Sequence, residues 1–419
     1  MAVIKPFKGL RFTEKAGDIG QLCCPPYDII NDTQREELIA RNPHNIIRLE
    51  KPEKTPEGYK AAGQILREWV DGGILADDSA ECIYAYEFLF KDEGDVHSVK
   101  GFVALVKVED FDKRIVLPHE ETLSKDKSDR FNLMTETGCN FSQIYSLYQD
   151  PMNTGLSLLG SVTSGTPTHE FTDEDEVTHR LWAVDNADII NEIVKLLADK
   201  KVYIADGHHR YETALAFRDA NTGGSSDFVP MFLVNMECPG LVVWPTHRIV
   251  RDLANFSYQG VLAKSMQYFH INEYHSREEC LKRLRMACDN GKNAFVLYSG
   301  NRYTLMILKD LSVMDEILAE SAECLRHLDV SVLHALVLER LLGIDKENMA
   351  LQKNLTYTRV FDEAISAVDS GEANCSFLLN STPIDAIGQV ASAGQKMPQK
   401  STYFYPKLTT GLVMNRIFK

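Results

Sequence analysis

The stretch KVYIADGHHRYETALAFRDA, residues 201–220, determines how the rest of the sequence is interpreted. Its first five residues, Lys201–Ala205, are largely apolar, which is typical of a short buried strand. Asp206 and Gly207 then predict a turn, because glycine adopts the backbone angles that a tight turn needs. From His208 onward the apolar residues return at helical spacing. The sequence therefore predicts a strand, a turn and a helix in direct succession.

The segments around this stretch mix helices with hairpins. Residues 82–90 and 99–108 are rich in β-branched and aromatic side chains and flank a turn-like segment, so they are predicted to pair as strands. The glycine-containing segment 150–168 is predicted to be a connector or a mobile loop. Helices are predicted over residues 56–72, 128–137 and 185–199. Because hairpins outnumber any regular βαβ series, the predicted fold class is α+β.

The turn after residue 205 also carries the most informative side chains. The first turn of a helix has unpaired N–H groups and the positive end of the helix dipole, so it can bind an anion. Gly207 lets the backbone approach a ligand closely, Arg210 can contact two phosphate oxygens, and His208 and His209 add donors. Asp206 could orient a substrate amine, a ribose or a metal ion. The alternative is an ordinary helix that Asp206 caps, with two surface histidines.

A second candidate is the loop Pro118–Thr122, with the sequence PHEET. Glu120 and Glu121 are adjacent carboxylates, and a carboxylate on such a loop could accept a hydroxyl proton during phosphoryl transfer. His119 adds an imidazole. The alternative is a helix N-terminus, where acidic residues are favoured by the dipole. The spacing alone leaves both interpretations open.

Basic residues elsewhere could join the anion site. Lys400 and Lys407 flank an aromatic, strand-like segment near the C-terminus, where they could contact phosphate or protect an exposed sheet edge. His247 and Arg248 repeat the His-Arg pair after another predicted strand. That second pair could equally belong to an ordinary turn.

Composition excludes several classes of function. The formal charge of −15 disfavours a nucleic-acid partner, because the average field of the protein would repel phosphates. No apolar stretch reaches the roughly 18 to 20 residues of a membrane span, and no signal peptide is visible, so a cytoplasmic protein without a membrane partner is expected. The nine cysteines are scattered, with Cys23-Cys24 the one close pair, which is typical of reduced thiols. We predict that they are not catalytic.

Several well-known motifs are missing from the sequence. It contains no Gly-x-Gly-x-x-Gly and no Walker-type phosphate loop, so standard dinucleotide and P-loop sites are excluded. His-Glu-x-x-His and the Gly-x-Ser-x-Gly elbow are also missing. The scattered cysteines disfavour structural zinc. No metal site built from a protein cluster is therefore predicted.

Five short motifs occur in a specific order: CPPYD at 24–28, NPHN at 42–45, HEET at 119–122 with Asp129-Arg130, ADGHHRY at 205–211 and MPQKSTYF at 397–404. Together they resemble the bacterial and archaeal family DUF1015, a domain of unknown function. The resemblance runs from about Pro6 to Val413, nearly the whole chain. The family name itself implies no activity.

The central DGHHR is also similar to the phosphate-contacting motif of the ParB/sulfiredoxin superfamily. It is closest to the free L-serine kinases, which phosphorylate serine to O-phosphoserine using ADP or ATP. In those kinases a glutamate on an earlier loop is the general base, and Glu120 matches it best, with Glu121 as the alternative. The resemblance implies that Glu120 is catalytic and that Asp206 helps to hold the substrate. Together with the residue patterns it gives a predicted site, with Glu120 and Asp206 as catalytic residues and Lys400 and Lys407 as secondary phosphate contacts if the C-terminal strand reaches the cleft. The other predicted phosphate contacts are Gly207, His208, His209, Arg210, His247 and Arg248, and the predicted substrate contacts are His119, Glu121 and Thr122.

These resemblances imply a ParB/sulfiredoxin-like core at residues 114–252, between an N-terminal segment 1–113 and a C-terminal segment 253–419. The implied function is nucleotide-dependent phosphoryl transfer to a small hydroxyl compound such as serine, with ADP or ATP and with Mg²⁺ bridging phosphate oxygens. The alternative is a nucleotide-binding switch or regulatory protein of ParB-like type. A sulfiredoxin-like redox enzyme ranks last, because histidine occupies the position of its cysteine. None of these motifs indicates the oligomeric state of the protein.

Overall fold

A nine-stranded sheet organises much of the computed structural model, which describes residues 1–120, 124–221 and 224–418, with the backbone alone for 124–127. Most neighbouring strands are antiparallel. The strand Val202–Asp206 lies parallel to Val116–Leu117 on one side and antiparallel to Ile144–Tyr148 on the other. The strand order is 116–117, 202–206, 144–148, 228–235, 95–107, 83–92, 178–184 and 169–172, and 4–5 pairs with 95–107.

Helices that accompany this sheet begin where the sequence supplies caps. Thr55 accepts a hydrogen bond from the backbone of Gly58 at the start of the helix Pro56–Asp71. Asn186 caps Ala187–Leu197 in the same way, and that helix buries an apolar stripe against the sheet. The remaining α-helices of this part, within the described residues, are Ile19–Leu22, Asp32–Arg41, Ile47–Glu50, Ser124–Thr137, Thr154–Thr163 and His208–Ala220, and two short 3-10 helices are Glu14–Ala16 and Phe111–Lys113.

The described residues form two compact units. The first comprises Met1–Pro118, 124–221, 224–242 and 404–418, and the second comprises 119–120 and Val243–Tyr403. Two short strand pairs complete the first unit: Leu10–Phe12 with Leu75–Asp77, and Cys139–Asn140 with Asn415–Arg416. The C-terminal residues thus belong to the unit that begins the chain.

The second unit is built on a six-stranded antiparallel sheet, counted over the described residues. Its strand order is 269–274, 302–308, 294–299, 375–378, 247–250 and 355–358. The α-helices of this unit are Tyr258–Ser265, Arg277–Asp289, Ser312–Ile317, Glu323–Arg326, Asp329–Ser331, Lys346–Leu351, Phe361–Asp369 and Ile384–Ser392. Two short strands, Val242–Trp244 and Tyr403–Tyr405, lie where the chain passes from one unit to the other.

A π-helix, Val332–Leu341, forms the most buried helical segment of the second unit. At its end, the backbone N–H of Leu342 donates to the carbonyl of Val337, five residues earlier, at 2.9 Å. Residues 332–338 are all buried. π-Helical turns are rare and are found at functional sites more often than elsewhere, so this segment is a candidate for ligand contacts.

The α+β class is confirmed, since both units combine sheets with helices. The prediction of a connector over 150–168 is wrong, because Thr154–Thr163 is a helix with Leu159 buried. The strand 95–107 pairs with the strand 228–235, so one sheet contains residues from both sides of the predicted boundary at 113. The core that was predicted for 114–252 contains residues of both units. The division into the segments 1–113, 114–252 and 253–419 stays a prediction. No described helix has both the length and the apolar character of a membrane span.

Candidate functional site

The predicted strand, turn and helix are present in the first unit. The strand ends at Asp206, Gly207 has φ of 92°, and the helix His208–Ala220 follows at once. Glycine is required at such a φ, because other residues are strained there. A Cβ on Gly207 would also lie only 2.8 Å from Nε of Arg210. The turn therefore holds the Arg210 side chain close over the backbone at the helix start.

Asp206 is the centre of an ion-pair cluster. Its Oδ2 accepts a hydrogen bond from Nη2 of Arg210 at 2.8 Å, and its Oδ1 accepts one from Nζ of Lys407. Nη1 of Arg210 donates to the backbone carbonyl of Gln143. The side chains of Arg210 and Lys407 are each 10% exposed. The structure thus brings Lys407 to the DGHHR motif, and its role as a phosphate contact stays a prediction.

The electrostatics of this cluster favour an anion. Burial by itself would raise the pKa of Asp206, but the charges of Lys407 and Arg210 outweigh it and hold that pKa far below its ordinary value. Asp206 thus pairs with two cations at a helix N-terminus, where the helix dipole favours an anion. Tyr145, which pairs with Asp206 on the neighbouring strand, has a buried hydroxyl without a hydrogen-bond partner among the described residues.

The two motif histidines differ in exposure. His208 is buried and its charge contributes to the low pKa of Asp206. His209 is half-buried, and its carbonyl accepts a hydrogen bond from the hydroxyl of Thr213 at 2.8 Å. The alternative of two surface histidines on an ordinary capped helix is therefore wrong for His208. Asp206 also does not cap the helix, since Gly207 occupies the N-cap position.

A second charged cluster in the same unit joins Tyr27, Asp129 and Arg130 of the family motifs to Glu50, which sequence reasoning did not single out. Glu50 and Arg130 are both buried, and Nη1 of Arg130 lies 3.8 Å from Oε1 of Glu50. Arg130 also forms a 2.8 Å ion pair with Asp129, and its guanidinium lies 3.9 Å from the ring centroid of Tyr27. Burial raises the pKa of Glu50, although Arg130 and a hydrogen bond from Ser142 act in the opposite direction.

Adjacent residues connect the two clusters. The hydroxyl of Ser142 donates to Oε1 of Glu50 at 2.9 Å, and the carbonyl of the next residue, Gln143, accepts from Arg210. The charge of Arg210 also lowers the pKa of Glu50. One sequence signal could have identified Glu50: it follows Ile46 by four residues and Ile47 by three, which is the spacing of one helix face.

Three predicted site residues lie together in the second unit. His119 is fully buried, and its Nε2 lies 2.8 Å from Oγ1 of Thr402. Glu120 accepts a hydrogen bond through Oε1 from the backbone N–H of Lys400 at 2.7 Å. Lys400 thus contacts Glu120 through its backbone, while Glu121 and Thr122 lie outside the described residues.

His247 and Arg248 lie in a strand of that unit, so the interpretation as an ordinary turn is wrong. Arg248 is 1% exposed. Its Nε donates to Nε2 of His334 at 3.2 Å, and its other donors reach the carbonyls of Thr246 and Lys400. Burial lowers the pKa of Arg248 to about 10, since desolvation disfavours the charged form.

The described residues contain no group of three or more His, Cys, Asp and Glu side chains that could hold a metal ion. Both oxygens of Asp206 are occupied by cations, so this carboxylate is not arranged as a metal ligand. All nine cysteines, each within the described ranges, are free thiols. Burial raises the pKa of Cys23 and Cys24 well above the ordinary value, which disfavours a reactive thiolate there.

The sequence profile of one protein family, described as "Protein of unknown function (DUF1015)", matches residues 4–331. The chain belongs to the DUF1015 family. The match includes the motifs at 24–28, 42–45, 119–122 and 205–211. The motif at 397–404 lies beyond it, although the resemblance seen in the sequence motifs extended to Val413. No curated protein matches this DUF1015 chain at a significant level.

Among solved structures, this DUF1015 chain is similar to a conserved hypothetical protein from Pyrococcus furiosus, at 13% identity and a TM-score of 0.35 over 70% of this chain and 89% of that one. It is similar to a free serine kinase in complex with AMP, at 14% identity and a TM-score of 0.35 over 69% and 83%. SbnI with a C-terminal truncation, from Staphylococcus aureus, gives 12% identity and a TM-score of 0.37 over 75% and 87%. Likeness at this level carries no argument about activity.

Proposed function

We propose that the protein binds a nucleoside diphosphate or triphosphate at the DGHHR turn and transfers a phosphoryl group to a small hydroxyl compound. Free serine is the first acceptor to test. The observation that carries the proposal is the Asp206 cluster, where Arg210 and Lys407 both pair with Asp206 at the start of a thirteen-residue helix. A chain of phosphates needs this combination of backbone N–H groups and fixed cations.

Each residue of the cluster has a defined task in this proposal. Arg210 and Lys407 contact phosphate oxygens, and Gly207 allows the phosphate to approach the backbone. Asp206 is a positioning residue, since it orients both cations. Mg²⁺ would enter with the nucleotide and be held mainly by phosphate oxygens and water, as is usual for this ion. When bound, it would neutralise charge on the phosphates.

The chemical step needs a base for the acceptor hydroxyl. As the hydroxyl oxygen forms its bond to phosphorus, the bond from phosphorus to the leaving nucleotide breaks and a carboxylate takes the hydroxyl proton. Glu120 is the proposed base, following the serine-kinase resemblance, with Glu121 as its alternative. Glu50 is a further candidate, because its raised pKa makes it a stronger proton acceptor than an ordinary glutamate.

Calorimetry with ADP and ATP in the presence of Mg²⁺ tests the binding step. Arg210→Met should weaken nucleotide binding by roughly tenfold or more, because it removes a charge-assisted hydrogen bond to phosphate. Arg218→Met is the matched control on the same helix, since Arg218 pairs with Asp110 and Asp219 instead. Equal losses in the two variants, or none in either, would contradict the assignment of the phosphate site.

Phosphorus NMR of the protein with serine, Mg²⁺ and ADP or ATP tests the chemistry. Formation of O-phosphoserine supports the proposal, and Glu120→Gln should then lower kcat by about 10² to 10⁴ with little change in nucleotide affinity. Glu50→Gln in parallel separates the two candidate bases. A fully active Glu120→Gln would exclude Glu120, whatever the acceptor is.

A different result would favour the second candidate, a nucleotide-binding switch of ParB-like type. Tight nucleotide binding at Arg210 without turnover of serine or other small hydroxyl compounds is the outcome expected of such a switch. The ParB/sulfiredoxin-like core over 114–252 belongs to both candidates, and it rests on the DGHHR resemblance. The redox alternative needs a reactive cysteine, and Cys23 and Cys24 are buried with raised pKa values.

A further inference from the structure

A cavity of about 370 Å³ lies within the second unit. Its volume is in the range of small-molecule pockets, about 300 to 1,000 Å³. The π-helix Val332–Leu341 supplies part of the wall through His334 and Glu339. Lys346 and Lys396 also line it, so the charged side chains of the wall include two lysines and one glutamate.

Two hydroxyl groups in this wall are buried and have no hydrogen-bond partner among the described residues. They are Oγ of Ser331, whose side chain is 2% exposed, and the hydroxyl of Tyr357. Buried hydroxyls are usually satisfied, because an unpaired one costs about 1 to 3 kcal/mol. Both residues line the cavity, and within the described chain neither hydroxyl has an existing hydrogen bond to give up.

A buried cation lies behind the same wall. Arg248 donates to His334, which lines the cavity, and its guanidinium lies 5.4 Å from the ring centroid of Tyr357. Within the described chain, no carboxylate lies at ion-pair distance from Arg248; its neighbours are carbonyl oxygens, an imidazole and an aromatic ring. A buried charge without a counter-charge favours an anion nearby. Glu120 acts on Arg248 only through its longer-range charge.

His334 fits this arrangement as a neutral side chain. Burial and the charge of Arg248 both lower its pKa well below the ordinary value. Because Nε2 accepts the hydrogen bond from Arg248, the ring proton is on Nδ1. The imidazole is therefore neutral and adds no second positive charge next to Arg248. Its ring contacts Arg248 and also lines the cavity.

We propose that this cavity binds a small organic anion, whose carboxylate or phosphate oxygens accept hydrogen bonds from Ser331 and Tyr357 and are attracted by Arg248 and the two wall lysines. The apolar part of the ligand packs on residues such as Leu325 and Met349, which also line the cavity. This ligand site consists of residues other than those of the Asp206 cluster, so it goes beyond the proposed phosphotransferase function.

Three compounds of similar size test the chemistry of the ligand: glycerate, glycerol 3-phosphate and glycerol. Calorimetry or ligand-observed NMR on the full chain should show binding of at least one of the two anions and at least tenfold weaker binding of glycerol. Glycerate and glycerol 3-phosphate distinguish a carboxylate from a phosphate. Failure of both anions at millimolar concentration, or equal binding of glycerol, would overturn the proposal.

Two variants locate the bound anion. Tyr357→Phe and Ser331→Ala each remove a hydroxyl that has no partner in the fold, so both proteins should fold and should bind the anion about tenfold more weakly. Ser265→Ala is the matched control: its buried Oγ also has no partner among the described residues, but it does not line the cavity. Unchanged affinity in both wall variants, or an equal loss in Ser265→Ala, would place the anion elsewhere and exclude this site.

Discussion

Arg210 and Arg248 look alike in the sequence and differ in the structure. Each follows a histidine and each is almost inaccessible to solvent. Arg210 has a carboxylate partner, Asp206, which it shares with Lys407. Arg248 has carbonyl oxygens and a histidine ring as partners, and burial lowers its pKa to about 10. One arginine is therefore fixed within an ion-pair cluster, while the other has, among the described residues, only uncharged groups as its direct partners.

The two arginines show that a His-Arg pair can serve two different purposes in a fold. In the first unit the carboxylate fixes the direction of two cations, which suits a ligand with several phosphate oxygens in fixed positions. In the second unit Arg248 contacts polar groups and has no ion-pair partner among the described residues, so a ligand anion can provide that partner. Three predictions test the comparison, in order of decreasing effect.

The largest effect is expected for Asp206→Asn. It leaves two buried cations without their carboxylate, and removing one partner of a buried pair costs about 4 kcal/mol. Hydrogen exchange of the segment 202–220 should report this loss as an easier local opening. Asp77→Asn is the control, since Asp77 is equally exposed, at 20% against 19%, but has the single cation Arg416. Equal losses would show that the second cation is unimportant.

The second effect concerns acid sensitivity near Arg248. Burial, with the charge of Arg248, lowers the pKa of His247 to about 4. In the unfolded chain His247 is protonated below about pH 6.5, whereas in the folded chain it stays neutral down to about pH 4. The stability of the protein therefore falls as the pH falls through this window. The loss contributed by His247 is about 3 kcal/mol.

His247→Asn should remove that contribution while offering another acceptor for the N–H of Leu379, which now donates to Nδ1. Urea unfolding, followed by circular dichroism from pH 7 to pH 4, should give a shallower pH dependence in the variant. Parallel curves for the two proteins would contradict a neutral, buried His247. The comparison uses slopes, so a constant loss of stability in the variant does not affect it.

The smallest effect is expected for Gly207→Ala. The positive φ of this residue costs a side chain about 1 kcal/mol, and displacement of Arg210 by the new Cβ should about double that loss. Gly371→Ala is the control, because Gly371 has φ of 82° and a Cβ there would meet no atom within 4 Å. Thermal unfolding of both variants gives the difference. Identical shifts would mean that Arg210 is not held against the turn.

The sequence predicted the strand, turn and helix around residue 206 because the apolar run, the glycine and the helical spacing are all local. It missed the helix Thr154–Thr163, where Gly155 and Gly160 suggested a loop. The structure gives Gly155 another reason: a Cβ there would lie 2.3 Å from the hydroxyl oxygen of Tyr148. Glycine at this position allows close packing, and sequence pattern cannot distinguish that from flexibility.

The part of the candidate site that the sequence predicted is the part whose contacts are local in the sequence. Asp206 and Arg210 lie on the two sides of one turn and are four residues apart, so their contact is local in the sequence. Gln143 and Glu50 became neighbours of the motif through contacts between distant segments, which no spacing encodes. Lys407 was proposed from a basic, aromatic pattern. Its pairing with Asp206 depends on the path of the whole chain.

That path affects the order in which the first unit can be completed during synthesis. The strands of its large sheet have all been translated by Asn235, and Asp206 with Arg210 is available even earlier. Lys407 and the strand Asn415–Arg416 emerge only after the whole of Val243–Tyr403 has been made. A nascent chain therefore carries a balanced Asp206–Arg210 pair. Lys407, the second cation of the cluster, joins it only when the segment 404–418 packs into the first unit.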